Sequence, residues 1–489
     1  MVKLENWLLK RVKTSPNKRA LISDNVDFTF NELNRTVQKF ASKLYYNGVR
    51  KGDYIGVFIA NSFNGYIAIL ALQQVGAKIV FLNTRLSEPE LNYQIEDSKI
   101  KFCLIDNFLR VEDTDKIKSC PAIPLSDILF SDISPDYSPV EEFEDDEVTS
   151  IMYTSGTTGK PKGVLQTYQN HFYSTIGTDI NMDINCVDLW LLTVPIFHIS
   201  GFSIIMRSLI LGFSVYLVDK FREDKVNRIL IENPITIVSL VPTMLKRLLN
   251  NLEPKQSFND NFRFIFLGGG PIDELTLLRC ESLKIPVLQS FGMTETSSNI
   301  VALNNEDARR KIGSSGKPLF PVQLKIEDPN NEGVGEILVK AKNVSPGYLN
   351  KEEKYKSKIT SDGYFKTGDL GYIDRENFLY IKGRLDDMFV SGGENIYPNE
   401  IEDVYQGLDY IKEIAITSIP NSDWGEVPVA YMVVKLGADL NREDLIEFGK
   451  KHLAHYKVPV DFRVIRQMPK TASGKIQKFA LKNIDYQSI

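Results

Sequence analysis

Apolar and polar positions along the first third of the chain alternate between two rhythms. Thr29-Phe-Asn-Glu32 has the spacing of a helix capping box. Leu33, Val37, Phe40, Ala41 and Leu44 then fall on one helical face, and Gly48 closes the element. Residues 54–60 read as a buried strand, 66–74 as a helix and 79–82 as another apolar strand. Ser87-Glu-Pro-Glu90 opens a further helix, and 101–105 reads as the next strand. Strands alternating with helices predict a mostly parallel sheet covered by helices.

The acidic stretch 131–146, with Pro135 and Pro139, predicts a loop or a subdomain junction. Beyond it the alternation resumes, with a strand at 236–241, a helix at 243–252 and a strand at 262–267 that runs into Gly268-Gly-Gly-Pro271. From about Val322 short strands separated by polar turns predict a small β subdomain. The last hundred or so residues have an α+β pattern of their own, including a strand at 430–435 and a helix at 443–453.

The apolar stretch 202–218 is interrupted by Arg207 and Ser208. A charge at that depth disfavours a bilayer span and favours a buried segment of a water-soluble core. The N-terminus lacks the apolar run and small-residue cleavage site of a secretory leader. A chain of 489 residues with 43% hydrophobic and 25% charged residues can build large cores without staples, which excludes a disordered or fibrous chain. The net charge of −5 argues against a nucleic-acid partner, which requires a basic surplus. Cys103, Cys120, Cys186 and Cys280 form no CxxC pair, so neither a metal site nor a disulfide framework is expected. Reduced, mostly buried thiols and a cytoplasmic location are the expectation.

Candidate chemistry concentrates in Tyr153-Thr-Ser-Gly-Thr-Thr-Gly-Lys-Pro-Lys-Gly-Val164. Between Thr154 and Gly163 stand three glycines, four hydroxyls and the two ammonium groups of Lys160 and Lys162. Such a loop offers backbone N–H groups, hydroxyls and positive charge to an anion. It is not a Walker A loop, because Pro161 follows Lys160 where serine or threonine is required.

This segment resembles the phosphate loop of the acyl-adenylate-forming superfamily, which contains acyl- and aryl-CoA synthetases, peptide-synthetase adenylation domains and luciferases. The resemblance covers nearly the whole chain, because five further motifs follow in the family order: Gln289-Ser-Phe-Gly-Met-Thr-Glu-Thr296, Tyr364-Phe-Lys-Thr-Gly-Asp369, Gly383-Arg-Leu-Asp-Asp387, Ser391-Gly-Gly-Glu-Asn395 and Pro469-Lys-Thr-Ala-Ser-Gly-Lys475. Asn83-Thr-Arg-Leu86, Pro195-Ile-Phe-His-Ile-Ser-Gly201, Trp424-Gly-Glu-Val-Pro428 and Tyr456-Lys-Val-Pro459 are similar to the bacterial 2-succinylbenzoate–CoA ligases of menaquinone synthesis, and related aryl-CoA ligases share several of these strings. The fold this resemblance implies is α/β. It has a large multi-layer N-terminal domain over 1–385, with two mostly parallel sheets and a small β subdomain, and a small mobile α+β lid over 386–489 that turns at Asp386.

The implied reaction has two steps. The carboxylate attacks the α-phosphate of ATP to give acyl-AMP and pyrophosphate; the thiol of coenzyme A then displaces AMP. By the same resemblance Thr154, Ser155, Gly156, Thr157, Thr158, Gly159 and Lys160 hold phosphates. Gly269, Gly270, Pro271, Ser290, Phe291 and Gly292 enclose the adenine, and Gly292 also borders the acid. Thr294 donates to the α-phosphate, and Glu295 holds Mg²⁺, a hard cation that prefers oxygen ligands. Asp369 accepts from both ribose hydroxyls and Arg384 bonds the nucleotide. Lys475 bridges acid and ATP in the first step. Gly392 and Gly393 leave room for the pantetheine arm of CoA in the second.

His198 lies beside the acyl group in the family motif, where positioning the acid and tuning the thiol are both open roles. Arg207 is the one charge inside its apolar run, and a buried arginine needs an anionic partner. Two partners remain open: the second carboxylate of an aromatic dicarboxylic acid, held bidentately, or a protein acid. The leading expectation is therefore an AMP-forming ligase for 2-succinylbenzoate. The alternatives are another aryl- or fatty-acid–CoA ligase, a carrier-protein adenylation enzyme and a non-catalytic nucleotide binder. No carrier domain follows Lys475 before the chain ends 14 residues later, and intact Lys475, Glu295 and Asp369 argue against decay. The expected partners are small molecules (ATP, an aromatic dicarboxylic acid and CoA), with no nucleic acid and no membrane insertion. A homo-oligomer is left open.

Overall fold

The computed structural model describes residues 2–109, 114–154, 161–253, 256–270, 272–391, 394–437, 440–470 and 476–489. By contacts the chain divides into two compact units. The first comprises Met1–Pro271, Leu278–Gln323 and Val339–Phe365; the second comprises Ile272–Leu277, Leu324–Leu338 and Lys366–Ile489.

The first unit is built on two sheets. A six-stranded sheet runs in the order Lys162–Thr167, Val148–Thr154, Lys78–Phe81, Tyr54–Phe58, Cys103–Ile105, Ala122–Pro124, parallel except for the first pair. A nine-stranded sheet runs Lys317–Pro318, Ser298–Ala302, Val287–Met293, Phe264–Leu267, Ile237–Leu240, Leu189–Leu192, Ser214–Leu217, Arg19–Ser23, Val26–Thr29, with a parallel centre and antiparallel edges. The central strands are buried along their whole length, which is why they read in the sequence as mostly apolar runs, broken only by Ser214 and Ser239.

Local chemistry sets the element boundaries. At the start of helix Phe30–Tyr46 the Thr29 hydroxyl accepts from the Glu32 N–H (3.3 Å), and the Glu32 carboxylate accepts from the Thr29 N–H (2.9 Å). The five apolar positions predicted for its inner face are all buried, and the four larger ones, Leu33, Val37, Phe40 and Leu44, each contribute roughly 1.5–3 kcal/mol. The helix expected over 66–74 begins earlier, at Phe63. The Ser62 hydroxyl caps it by accepting from the Gly65 N–H, a signal that apolar spacing does not carry. The apolar run 202–218 resolves into helix Ile199–Leu211 and strand Ser214–Leu217. Among the described residues, no helix is long and apolar enough to cross a membrane. Within the acidic stretch 131–146, Glu142–Glu144 pairs with Lys3–Glu5, so that stretch belongs to the first unit throughout. Cys103 and Cys280 are buried, whereas Cys186 is exposed; none of the four is in a disulfide.

In the second unit the hairpin Ile411–Asn421/Gly425–Val434 is flanked by Asp461–Val464 in parallel and by Phe389–Ser391. Helices Pro398–Gln406 and Arg442–His452 cover a core that includes Ile401, Tyr405, Ile416, Met432, Leu445 and Phe462. The short strand expected over 430–435 is the second half of a longer one, which the polar start Gly-Glu-Val-Pro disguises in sequence. Strands Phe365–Ile373 and Leu379–Arg384 pair antiparallel, in a register that sets Asp369 directly opposite Arg384.

Candidate active site

Strand Val287–Met293 ends in the tight turn Thr294–Thr296, and the chain returns as strand Ser298–Ala302. The two strands approach so closely at Gly292 that a Cβ there would stand 2.1 Å from the Ser298 carbonyl oxygen. Only glycine fits. After the turn Ser297 (φ 51°) and Ser298 (φ 114°) both take up positive-φ backbone, a costly conformation for residues with side chains.

The Glu295 carboxylate is buried, and its Oε1 accepts from the Tyr348 hydroxyl at 3.0 Å. The turn is anchored by the Ser345 N–H, which donates to the Glu295 carbonyl at 2.7 Å. Among the described residues no cation is paired with this carboxylate. A buried anion whose hydrogen bond comes from a neutral phenol suits a hard divalent cation, so the donor chemistry fits Mg²⁺. Lys162 stands over the Tyr348 ring, 4.6 Å from its centroid.

Behind the turn runs a buried polar chain. The Thr294 carbonyl accepts from Gln166 Nε2 (3.2 Å), and Gln166 Oε1 accepts from the Ser150 hydroxyl (2.8 Å). Ser150 Oγ also meets His171 Nε2 (3.3 Å). Gln166, Ser150 and His171 are each at most 1% exposed. His171 sits edge-on against Phe202, and its pKa is pushed down to about 3, first by burial and then by the charge of Arg207.

Arg207 lies on helix Ile199–Leu211 and is 1% exposed. Its Nη2 donates to Ser298 Oγ (3.0 Å) and Asn299 Oδ1 (2.8 Å), both neutral. The guanidinium also lies 5.8 Å from the centroids of Trp190 and Phe266. Among the described residues its Nε has no hydrogen-bond partner, nor does Asn299 Nδ2. The protein acid weighed as a partner is not there: among the described residues no carboxylate pairs with Arg207. Burial pushes its pKa down to about 9, which leaves it charged at neutral pH. His198 occupies the N-cap position of the same helix, half-buried, with its ring against Phe197 at 4.7 Å.

The other expected nucleotide residues fall in two places. In the first unit the hairpin Val148–Thr154/Lys162–Thr167 sets Thr154 opposite Lys162. The Ser290 hydroxyl donates to the Leu267 carbonyl (3.0 Å) just before Gly268, Gly269 and Gly270 are exposed, and Phe291 is half-buried. In the second unit Asp369 Oδ1 accepts from Arg384 Nη1 (3.0 Å), and the same nitrogen donates to the Thr367 carbonyl (3.2 Å). Gly368 between them has φ +75°, and a Cβ there would lie 3.0 Å from the Arg384 guanidinium, so this turn also requires glycine. Asp386 is exposed in the short turn Leu385–Asp387. Ser155, Gly156, Thr157, Thr158, Gly159, Lys160, Pro271, Gly392, Gly393 and Lys475 lie outside the described residues.

Sequence reasoning missed Gln166, Ser150, His171, Asn299 and Tyr348. One signal was present: Val164 and Gln166 share a strand face, and an amide on a face expected to be apolar marks a buried polar partner.

The AMP-binding enzyme family model matches residues 8–349, and the model of the AMP-binding enzyme C-terminal domain matches 400–475. The chain is 43% identical to the 2-succinylbenzoate–CoA ligase of Listeria monocytogenes, covering 98% of this chain and 99% of that protein. It is 41% identical to that of Enterococcus faecalis, covering 96% and 97%. The o-succinylbenzoate CoA synthetase of Bacillus subtilis, solved in complex with its acyl-adenylate intermediate, superposes with a TM-score of 0.94 at 36% identity over the full length of both chains. A fatty acyl CoA synthetase of Mycobacterium tuberculosis superposes with a TM-score of 0.76 at 28% identity, covering 98% of this chain and 97% of that one. The chain therefore belongs to the AMP-binding enzyme family, alongside the 2-succinylbenzoate–CoA ligases.

Proposed function

We propose that this protein is an AMP-forming acid–thiol ligase that converts 2-succinylbenzoate, ATP and coenzyme A to 2-succinylbenzoyl-CoA, AMP and pyrophosphate, as a step of menaquinone synthesis. In the first step a carboxylate oxygen forms a bond to the α-phosphorus and the bond to the β-phosphate breaks. In the second the thiol sulfur bonds to the acyl carbon, AMP leaves and the thiol proton passes to solvent. Negative charge gathers in the first step, so catalysis rests on electrostatic positioning.

The observation that carries the substrate assignment is Arg207, a fully buried cation with neutral partners and an unused N–H. A dicarboxylic acid brings it an anion by presenting one carboxylate to the guanidinium and the other to ATP. A fatty acid has no group to offer it. The names of the relatives support the same reading.

Glu295 would hold Mg²⁺, which when bound neutralises phosphate charge. Thr294 donates to the α-phosphate, Asp369 and Arg384 serve the ribose side, and 154–160 takes the phosphates. Lys475 bridges acid and ATP, and His198 borders the acyl group. Residues 386–489 act as a lid that turns at Asp386, withdrawing Lys475 and bringing Gly392 and Gly393 to the pantetheine arm. The enzyme works on small molecules in the cytoplasm, where ATP and CoA are both at hand.

The test is acid-dependent ATP–pyrophosphate exchange with 2-succinylbenzoate, an aromatic monocarboxylate and a fatty acid, followed by thioester formation with CoA. Fastest exchange with the fatty acid, or exchange with none, overturns the proposal.

A further inference from the structure

The hydrogen-bond directions behind the catalytic turn can be worked out one by one. The Thr294 carbonyl can only accept, so the Gln166 amide nitrogen must face it, and the Gln166 oxygen therefore faces Ser150. The single hydroxyl proton of Ser150 goes to that oxygen. Towards His171 the Ser150 oxygen can then only accept, so the imidazole carries its proton on Nε2. The charged ring would also carry a proton on Nε2, so this direction holds in either charge state. Each member has one orientation, dictated by the next. The last member, His171, packs on Phe202 of the helix that carries Arg207 and feels the guanidinium charge.

An amide at this place is not explained by packing. Gln166 is fully buried on a strand, at a position where an apolar side chain would cost nothing in desolvation. The amide completes the hydrogen bonding of the carbonyl one residue before Glu295, in a turn followed by two serines in costly backbone conformations. A strained turn keeps one geometry only where its surroundings over-determine it.

We propose that Gln166 is a positioning residue for the Thr294–Glu295 turn, fixed in its working orientation by Ser150 and His171. The assignment rests on the proposed role of that turn in acyl-adenylate formation. Gln166 touches neither substrate nor metal and acts through Thr294.

A double-mutant cycle with Gln166→Met and Ser150→Ala tests it. Gln166→Met keeps the volume and removes the amide, and should lower kcat of ATP–pyrophosphate exchange about tenfold while KM for the acid stays within twofold. Ser150→Ala should cost about threefold. The double variant should match Gln166→Met, because Ser150 acts only through Gln166; independent packing losses would multiply to about thirtyfold. A kcat within twofold of wild type for Gln166→Met, or multiplicative losses in the double variant, overturns the proposal. Should Gln166→Met not fold, Gln166→Asn, which withdraws the amide by one methylene, takes its place in the cycle. If the wild type exchanges with no acid, the proposed activity fails but the positioning role does not. The same cycle is then read by calorimetry as the Mg²⁺ dependence of ATP binding, in which Gln166→Met should need several-fold more Mg²⁺ and an unchanged requirement overturns the proposal.

Discussion

Replacing Arg207 with methionine should leave the free protein as stable as before, or more stable, while removing its preference for a dicarboxylic acid. Burial alone lowers the arginine pKa from its ordinary 12.5 to about 9, which at roughly 1.4 kcal/mol per pH unit is a cost of a few kcal/mol at neutral pH. The unsatisfied Nε–H adds about 1–3 kcal/mol. Against these stand two charged-donor hydrogen bonds, to Ser298 and Asn299, at roughly 1.5–3 kcal/mol each, and two ring contacts at about 0.5–1 kcal/mol each. The terms nearly cancel. Methionine fills most of the volume without a charge, so the variant should unfold within about 2 °C of wild type or above it. An arginine paired with a protein acid behaves otherwise, since breaking such a buried pair costs about 3–5 kcal/mol.

Binding should respond in the opposite sense. Losing a buried guanidinium–carboxylate pair costs on the order of 3 kcal/mol, or about a hundredfold in KM for 2-succinylbenzoate. An aromatic monocarboxylate, which leaves Arg207 unused, should change by less than about threefold. The assay is thermal unfolding by calorimetry together with exchange kinetics on both acids. Equal KM increases for the two acids, or a stability loss near 3 kcal/mol, would refute the reasoning.

Glu295→Gln keeps an acceptor for Tyr348 and removes a buried charge, so stability should hold while Mg²⁺-dependent exchange falls by about a hundredfold or more; a smaller fall, seen in exchange kinetics at saturating Mg²⁺, contradicts the metal assignment. Asp369→Asn should raise KM for ATP about tenfold and change stability by less than about 1 kcal/mol, because Arg384 is partly exposed; an unchanged KM in exchange kinetics contradicts its nucleotide role. His171 is held neutral, so protons bind only to the unfolded chain as pH falls below about 6.5, and stability should drop by roughly 1.4 kcal/mol per pH unit. His171→Gln should flatten that slope between pH 6 and pH 4.5 in denaturant titrations, and equal slopes in the two proteins would contradict the neutral assignment.

What could be read from the sequence was local. The Thr29–Glu32 cap and the parallel strands follow from residues within a few positions of one another, as do the phosphate-loop and Thr294–Glu295 motifs. Arg207 was visible as a charge inside an apolar run, but its partners were not, because Ser298 and Asn299 stand 91 and 92 positions away on another element. Gln166 reaches across 128 positions to Thr294, and Glu295 across 53 to Tyr348. No spacing rule connects such pairs; only the order of strands in the two sheets does. The helix before Tyr66 was mis-started for a smaller reason, since Ser62 is a cap whose partner N–H belongs to a glycine with no apolar signal.

The first unit carries two buried charges of opposite sign, Arg207 on a helix and Glu295 in a turn, that are not paired with each other. Arg207 has serine, asparagine and aromatic rings around it, and Glu295 has a tyrosine. Had they been paired, each would have gained a partner inside the protein and lost its use for a ligand, because displacing a buried ion pair costs more than filling an open position. What runs behind the Thr294–Glu295 turn instead is neutral throughout: an amide, a hydroxyl and an imidazole held out of its charged form first by burial and then by the same arginine. A charged histidine there would meet the Arg207 guanidinium in repulsion. On the proposed reading, a neutral chain adds no competing charge beside either the guanidinium that would take a carboxylate or the carboxylate that would take a metal.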